Sequence, residues 1–334
     1  MKLRIALIEA SHWHAALYID GLSRLGHKVI AVSDGNEELA VELSRNLNCT
    51  AYANYQELVL KEKPDFVFAF GRHIHMPKIA EFLISEEIPF VIEKPAGVSS
   101  RQTKELVLLQ KKLGTFVAIP FVFRYSSLMD TILSMKQAGR LGQLTHCYFR
   151  FIAGSPQRYI QANCSWMLDP TLAGGGCTIN LAVHFIDLFL HFTQDTVSSV
   201  YSVFNSLTHG TEIEDFSVMV LKTKKNQIGV IETGYTYPEN GEKSREIYYS
   251  LTSTEGLMWA RDNALHWARR GNKEKKLAIS TETDEYYAIY VRKVLQEFLK
   301  GVPPRTSLKE MYQVMLIIDA VYKSARENKV VIMA

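Results

Sequence analysis

Asp65-Phe-Val-Phe-Ala-Phe-Gly-Arg-His-Ile-His75, followed after a helix-like segment by Pro89-Phe-Val-Ile-Glu-Lys-Pro95, decides the fold of this chain. Phe66–Phe70 and Phe90–Ile92 are short apolar runs with no polar alternation, the pattern of parallel strands buried on both faces. Between them, Met76–Glu86 carries Ile79, Ala80, Leu83 and Ile84 at helical spacing. The unit reads strand, crossover helix, strand. Each strand ends in reactive residue types: Arg72, His73 and His75 after the first, Glu93 and Lys94 after the second. In open parallel sheets ligands bind outside the carboxyl ends of the strands, so these residues are expected to share one crevice.

Working outward, the N-terminal side repeats the pattern. Strand Leu3–Ile8 precedes an amphipathic segment around Ala15–Leu25, and strand Lys28–Ser33 closes on Asp34. A helical pattern over Asn36–Leu47, a short strand Thr50–Tyr52 and a helix capped by Asn54 follow. Ser99 or Ser100 can cap a helix to Lys112, and Phe116–Pro120 reads as one more strand. Alternation of this density predicts an α/β fold, with an N-terminal Rossmann-type doubly wound parallel sheet through about residue 122.

Beyond that point the character changes. Ser126–Ala138 reads as a helix, and the turn Gly139-Arg140-Leu141-Gly142 leads into strand Leu144–Ile152. Val197–Phe204, Phe216–Lys222, Gln227–Tyr235 and Glu246–Ser253 read as strands, joined through turns that include Lys224-Lys225-Asn226 and Glu239-Asn240-Gly241. Consecutive strands with short connections predict a C-terminal α+β domain over 123–334 with a large, mostly antiparallel sheet. Helices Glu285–Leu299 and Ser307–Glu327 end the chain, separated by Gly301-Val302-Pro303-Pro304.

At 334 residues the chain has room for two domains, and 47% hydrophobic with 22% charged residues is a globular composition. A formal net charge of +3, with Lys273-Glu274-Lys275-Lys276 as the one basic cluster, read as a solvated turn, gives no reason to expect nucleic acid or anionic membrane. No apolar run approaches the ~20 residues that span a bilayer. The four cysteines form no Cys-x-x-Cys pair and, with no signal-peptide pattern, point to reduced thiols and a cytoplasmic setting.

Glu93-Lys94-Pro95 after a buried strand, Arg124, the Gly139–Gly142 turn and Trp166…Asp169-Pro170…Ala173-Gly174-Gly175-Gly176 occur in order along the chain. Asn180…His184…Asp187, Glu214-Asp215, Gly256 and Pro303-Pro304…Lys323-Ser324-Ala325 continue the series. Together they resemble the glucose–fructose oxidoreductase, inositol dehydrogenase and rhizopine-catabolism (Gfo/Idh/MocA) family. The resemblance implies an NAD(P)-dependent oxidoreductase that moves hydride between a nicotinamide and a sugar, polyol or related secondary alcohol. It also implies a homodimer or homotetramer.

Carried onto this chain, the resemblance makes Lys94 a catalytic residue that polarises the substrate oxygen. It makes His184 the general acid/base. The family pattern here is Asp-x-x-x-His, and this chain has Asn180 instead, which can orient a histidine but cannot supply a stabilising charge. The cofactor residues are Glu9, Ala10, Ser11, His12 and Trp13 in the first turn, then Asp34, Phe70, Gly71, His75, Glu93 and Lys94. Asp34 can accept from ribose hydroxyls and would repel a 2′-phosphate, so NAD is expected rather than NADP. Substrate contacts fall on Lys94, Arg124, Asn180 and His184, with Trp166 and Tyr235 as stacking walls, and Tyr159 similar to them.

Two features stand apart. Where the dinucleotide fingerprint has Gly-x-Gly-x-x-Gly, this chain has Glu9-Ala10-Ser11-His12-Trp13-His14. A non-glycine residue in the left-handed conformation costs about 1–2 kcal/mol, so the turn is expected to relax from the usual geometry. A carboxylate ~4 Å from a phosphate charge would cost on the order of 4 kcal/mol at an effective dielectric near 20, so Glu9 must point away or meet a ribose. This departure, with Asn180, leaves open a non-catalytic sugar- or nucleotide-sensing protein on the same fold. Second, His12, His14, His73, His75 and His184 are expected on one crevice; the two His-x-His spacings are metal-like, yet polar residues belong at a cleft and no metal is expected.

Overall fold

The computed structural model describes residues 2–239 and 243–333, so Asn240 and Gly241 of the expected turn lie outside the described residues. Strands β1 (Arg4–Ile8), β2 (Lys28–Ser33), β3 (Thr50–Tyr52), β4 (Phe66–Ala69), β5 (Phe90–Ile92) and β6 (Val117–Ala118) form the first sheet. Their order is β3-β2-β1-β4-β5-β6, with every neighbouring pair parallel. β4 and β5 are buried at every position, as their unbroken apolar sequences require. Side chains cap the intervening helices where expected: Asn36 accepts from Glu38 and Leu39 N–H, Asn54 from Glu57, and Ser99 from Gln102. The strand order reverses between β1 and β4, and a doubly wound sheet opens its ligand crevice at such a reversal.

The compact unit around this sheet is assembled from three stretches: Met1–Phe121, Tyr159–Gly174 and Asp284–Gln313. The sequence reading placed one boundary at 122/123; the packing cuts beside it, between Phe121 and Val122, and then recruits two later stretches. The reason is side-chain packing that local periodicity does not encode. Helix Thr283–Leu299 lies against helix Ala15–Leu25 so closely that a Cβ on Gly21 would stand 3.2 Å from Ala288 Cα and 3.2 Å from Val291 Cβ. Tyr18 meets Tyr287 edge-on with ring centroids 5.3 Å apart, and Phe298 reaches Phe66 at 5.1 Å.

The second unit holds Val122–Arg158, Gly175–Thr283 and Val314–Ala334. Its sheet comprises β7 (Leu144–Gly154), β8 (Val197–Asn205), β9 (Phe216–Thr223), β10 (Ile228–Tyr237), β11 (Arg245–Ser253), β12 (Gly256–Arg261), β13 (Ala264–Arg269), β14 (Lys275–Ala278) and β15 (Val331–Ile332). The order is β14-β13-β12-β11-β7-β10-β9-β8-β15. Only β7 and β10, at the centre, run parallel; the other pairs are antiparallel. The β12–β14 strands are additional to the sequence reading. Lys275 and Lys276, read there as part of a solvated turn, lie on β14, an exposed edge strand where lysines discourage pairing with another chain.

Among the described residues one helical stretch, Pro170–Thr193, is long and apolar enough to cross a membrane by length and composition, which corrects the expectation that none approaches that length. Its apolar window is 89% buried within the protein, as in a core helix. Within the second unit, Glu214 Oε1 accepts from Gly176 N–H (2.9 Å), Thr178 N–H (3.0 Å) and Tyr322 O–H (2.8 Å), fixing the start of the π-helical turn Thr178–Ala182 and of helix Val183–Thr193 after it.

Gly21→Leu tests the helix contact in the first unit. Leucine gains up to about 1 kcal/mol of helix propensity over glycine, but overpacking costs typically about 1–3 kcal/mol. The variant is expected to unfold at lower urea than wild type. A midpoint at or above the wild-type value would mean that the two helices are not tightly apposed.

Candidate active site

The carboxyl ends of β1, β2 and β4 open into a cavity of about 850 Å³ within the first unit. Its walls carry Glu9, Ser11 and His12 from the first turn, Asp34, Gly35 and Asn36 after β2, and Gly71, Arg72 and His75 after β4. Ile160, Asn163, Ser165 and Trp166, from the stretch that returns to this unit, complete it. The volume falls in the ~300–1,000 Å³ range of small-molecule sites. Asp34 is held by two backbone donors, Ser11 N–H to Oδ2 and Asn36 N–H to Oδ1, both 2.8 Å. A carboxylate has about four acceptor positions, so these bonds fix Asp34 without exhausting it.

At its first residue the glycine-less turn does not relax. Glu9 has φ 53°, in the left-handed region that glycine usually fills, and the expected departure from the usual geometry is therefore corrected. The stem of Glu9 passes beside Gly71, whose φ is 122°; a Cβ there would make ordinary contact with Glu9 Cβ and Cγ at 3.6 Å and press on Ile79 Cδ1 at 3.1 Å. The carboxyl group extends to Gly35, which hydrogen-bonds it through the backbone. Burial, and then the negative charge of Asp34, raise the Glu9 pKa to about 7, against the opposing effects of the Gly35 bond and of Arg72. Glu9 thus keeps the left-handed backbone and softens its charge. Volume, acceptors and backbone path together fit the adenosine–diphosphate part of a dinucleotide.

Behind the turn lies a buried polar cluster. Glu93 is 0% exposed, and its Oε1 accepts from Tyr18 O–H at 2.6 Å and stands 3.1 Å from His14 Nδ1. Glu93 Oε2 accepts from Lys94 N–H at 2.8 Å. Tyr287 Oη lies 3.3 Å from His14 Nδ1. Burial and the Glu93 carboxylate hold the Tyr18 phenol well above its usual pKa, so it stays a donor. Lys94 itself is 2% exposed; burial depresses the pKa values of His12 and His73, and the Lys94 charge adds to that effect. His12 stacks on Phe70 (5.9 Å) and meets Trp166 (5.8 Å), while Trp13 packs edge-on against Tyr159 (5.6 Å). Trp166 is therefore a wall of this cavity.

The remaining site candidates belong to the second unit. Asn180 Nδ2 donates to Tyr235 Oη at 2.9 Å, so the amide is engaged with a phenol that sequence reading had placed separately as a substrate wall. Tyr235 is fully buried, and Arg158 lies over its ring at 5.2 Å. His184, 4% exposed, packs edge-on against Phe123 at 4.9 Å. Arg124 grips Asp187 in a fork, Nε to Oδ2 at 2.7 Å and Nη2 to Oδ1 at 2.6 Å, tying the turn Val122–Tyr125 to the helix that carries His184. Of the five histidines, His12, His14, His73 and His75 belong to the first unit and His184 to the second.

Arg72, expected in the crevice from its place after β4, does line the cavity; Asn163 and Ser165 also line it and were missed, because nothing in their local sequence marks them. Among the described residues no three His, Cys, Asp or Glu side chains are grouped to hold a metal ion.

His73 gives the site a pH signature. Nδ1–H donates to Ala173 C=O at 2.7 Å, and burial lowers its pKa from 6.5 to about 4. Between these values the unfolded chain binds more protons than the folded one. Its contribution is present above about pH 6.5 and is lost as pH falls toward 4, on the order of 3 kcal/mol. Urea midpoints at pH 7.5 and pH 5 should differ less for His73→Asn, whose amide can still donate, than for wild type. An unchanged difference would assign the acid sensitivity elsewhere.

Comparison with known proteins accords with this geometry. Residues 6–121 match the family model described as "Oxidoreductase family, NAD-binding Rossmann fold", and residues 129–256 match that of the GFO/IDH/MocA C-terminal domain. The chain is 24% identical over 322 residues to D-xylose 1-dehydrogenase (NADP(+)) 2 of Haloferax volcanii, covering 91% of this chain and 92% of that protein. It is 25% identical to D-xylose 1-dehydrogenase (NADP(+)) of Hypocrea jecorina over 67% of this chain, a match that spans 61% of that enzyme's length. Levoglucosan dehydrogenase, solved with NADH and levoglucosan, shares the fold with a TM-score of 0.87 at 16% identity over 99% of both chains. With both family models matched in order along the chain, the protein belongs to the GFO/IDH/MocA family of oxidoreductases.

Proposed function

We propose that this protein is an NAD-dependent dehydrogenase or reductase acting on a secondary alcohol of a sugar or polyol. The observation that carries this reading is the cavity at the β1/β4 reversal, bordered by Asp34 and backed by the buried Glu93–Lys94 pair. A bound nicotinamide dinucleotide would supply the hydride acceptor or donor. Asp34 would orient the adenosine ribose, and its charge disfavours a 2′-phosphate, which is our ground for NAD although the xylose dehydrogenases above are named for NADP.

Lys94, buried at the end of β5 with its backbone N–H bonded to Glu93, carries a cation suited to stabilising charge on a substrate oxygen. His184 would move the proton. Asn180, four residues before it, would orient it while bonded to Tyr235, a neutral pair that adds no negative charge to support an imidazolium. The outward side of the second sheet, where Tyr201, Val220 and Val230 stand in register with Tyr148, supplies an apolar surface for pairing of copies as a dimer or tetramer.

A panel of aldoses and polyols with NAD and NADP tests the activity directly. On a substrate so found, Lys94→Ala and His184→Ala are each expected to lower kcat by ~10²–10⁴-fold, with NADH affinity little changed. Turnover close to wild type in either variant would remove that residue from the chemistry. Asn180→Asp should move a limb of the pH–rate profile, because a carboxylate raises the pKa of a nearby histidine. A stationary profile would uncouple position 180 from His184.

A further inference from the structure

The dinucleotide fingerprint lets backbone N–H groups approach a diphosphate, and this chain must bind that group by other means. Three acidic residues, Glu9, Asp34 and Glu38, line the cavity, and Ser11 N–H is already committed to Asp34. Arg72, exposed at the end of β4, is the one lysine or arginine among the lining residues. Among the described residues its guanidinium has no hydrogen-bond or ion-pair partner, although its charge acts on Glu9. Glu9 lies in the same wall, its stem over Gly71 and its carboxyl at Gly35, spanning the ends of β2 and β4 where a diphosphate would cross.

We propose that Arg72 and Glu9 together take over the role of the glycine loop: Arg72 meets the diphosphate, and Glu9 binds in its neutral acid form, so dinucleotide binding draws one proton from solvent onto the Glu9 carboxyl. This rests on the dinucleotide reading above and deepens it. The groups around Glu9 set the sign. Asp34 after β2 opposes its ionisation, and Arg72 after β4 favours it; Glu38 on the following helix lines the same cavity. His12 in the turn, His75 after β4 and Tyr55, whose own pKa Glu9 helps to raise, complete its titratable surroundings. Glu9 titrates near 7 in the free protein, and an incoming anion raises that value further. Below about pH 6 Glu9 is already protonated and affinity is flat. Above 7 the proton must be taken up, and Kd climbs by up to about tenfold per pH unit.

Calorimetric titration with NADH at pH 6 and pH 8, in two buffers of different ionisation heat, measures affinity and proton uptake together. Wild type is expected to bind about tenfold more tightly at pH 6, with net proton uptake at pH 8. Glu9→Gln should abolish both the pH dependence and the uptake, and bind at pH 8 as tightly as wild type does at pH 6. Arg72→Gln should weaken ADP about tenfold or more at both pH values and leave adenosine, which lacks the diphosphate, unaffected. Wild-type binding without proton uptake, uptake that persists in Glu9→Gln, or unchanged ADP affinity in Arg72→Gln would overturn the inference while sparing the dinucleotide reading. Binding of neither NADH nor NADPH by wild type at any pH would overturn both.

Discussion

A carboxylate with no access to water holds the first unit's chemistry in place. Burying a charge is expensive unless hydrogen bonds replace its hydration. Glu93 meets that demand with a phenol, an imidazole and the backbone N–H of its neighbour. Each partner comes from a different constraint: Tyr18 from the first helix, His14 from the turn before it, Lys94 N–H from the end of β5. The cluster joins the turn that shapes the cavity to the strand that delivers the lysine. Shifting either element would strand a charge in the interior, so the positions of turn and lysine are set together.

Much of this was legible in the sequence, and the reasons are specific. β4 and β5 were readable because strands buried on both faces spell unbroken apolar runs, and Asn36, Asn54 and Ser99 announced their helices through capping. Asp34 and Lys94 could be singled out because strand ends in a parallel sheet point to one edge. Periodicity says that a helix has an apolar face but not what covers it. The docking of Thr283–Leu299 onto Ala15–Leu25 was therefore invisible, as was the bond from Asn180 to Tyr235 across 55 positions. The β12–β14 strands escaped notice because β12 and β13 are short and not cleanly alternating in burial, and half of β14 is lysine. Glu9 was misread for another reason: the intrinsic penalty of a left-handed glutamate was known, but not the backbone bond from Gly35 that holds its carboxyl group.

The two units hold different parts of the candidate residue set. The first carries the acceptor pair and cation suited to a dinucleotide; the second carries His184 on a helix whose start is pinned by Glu214 and whose third residue beyond His184, Asp187, is gripped by Arg124. A π-helical turn immediately before that helix widens the backbone where Asn180 sits, a distortion that often accompanies functional positions.

The discontinuous make-up of the first unit bears on how the chain is born. A ribosome releases β1 to β6 early, yet the helix that covers Gly21, Tyr18 and Phe66 is synthesised more than 150 residues later than the last of those strands. Until it emerges, the apolar side of helix Ala15–Leu25 lacks its cover. Such long-range closure slows folding and leaves sticky surface open to chaperones or to neighbouring chains. A fragment ending near residue 122 would inherit the same exposed face permanently. Dissecting the nucleotide half by simple truncation would thus yield an aggregation-prone piece, whereas grafting residues 284–313 back onto it through a short linker would restore the missing cover.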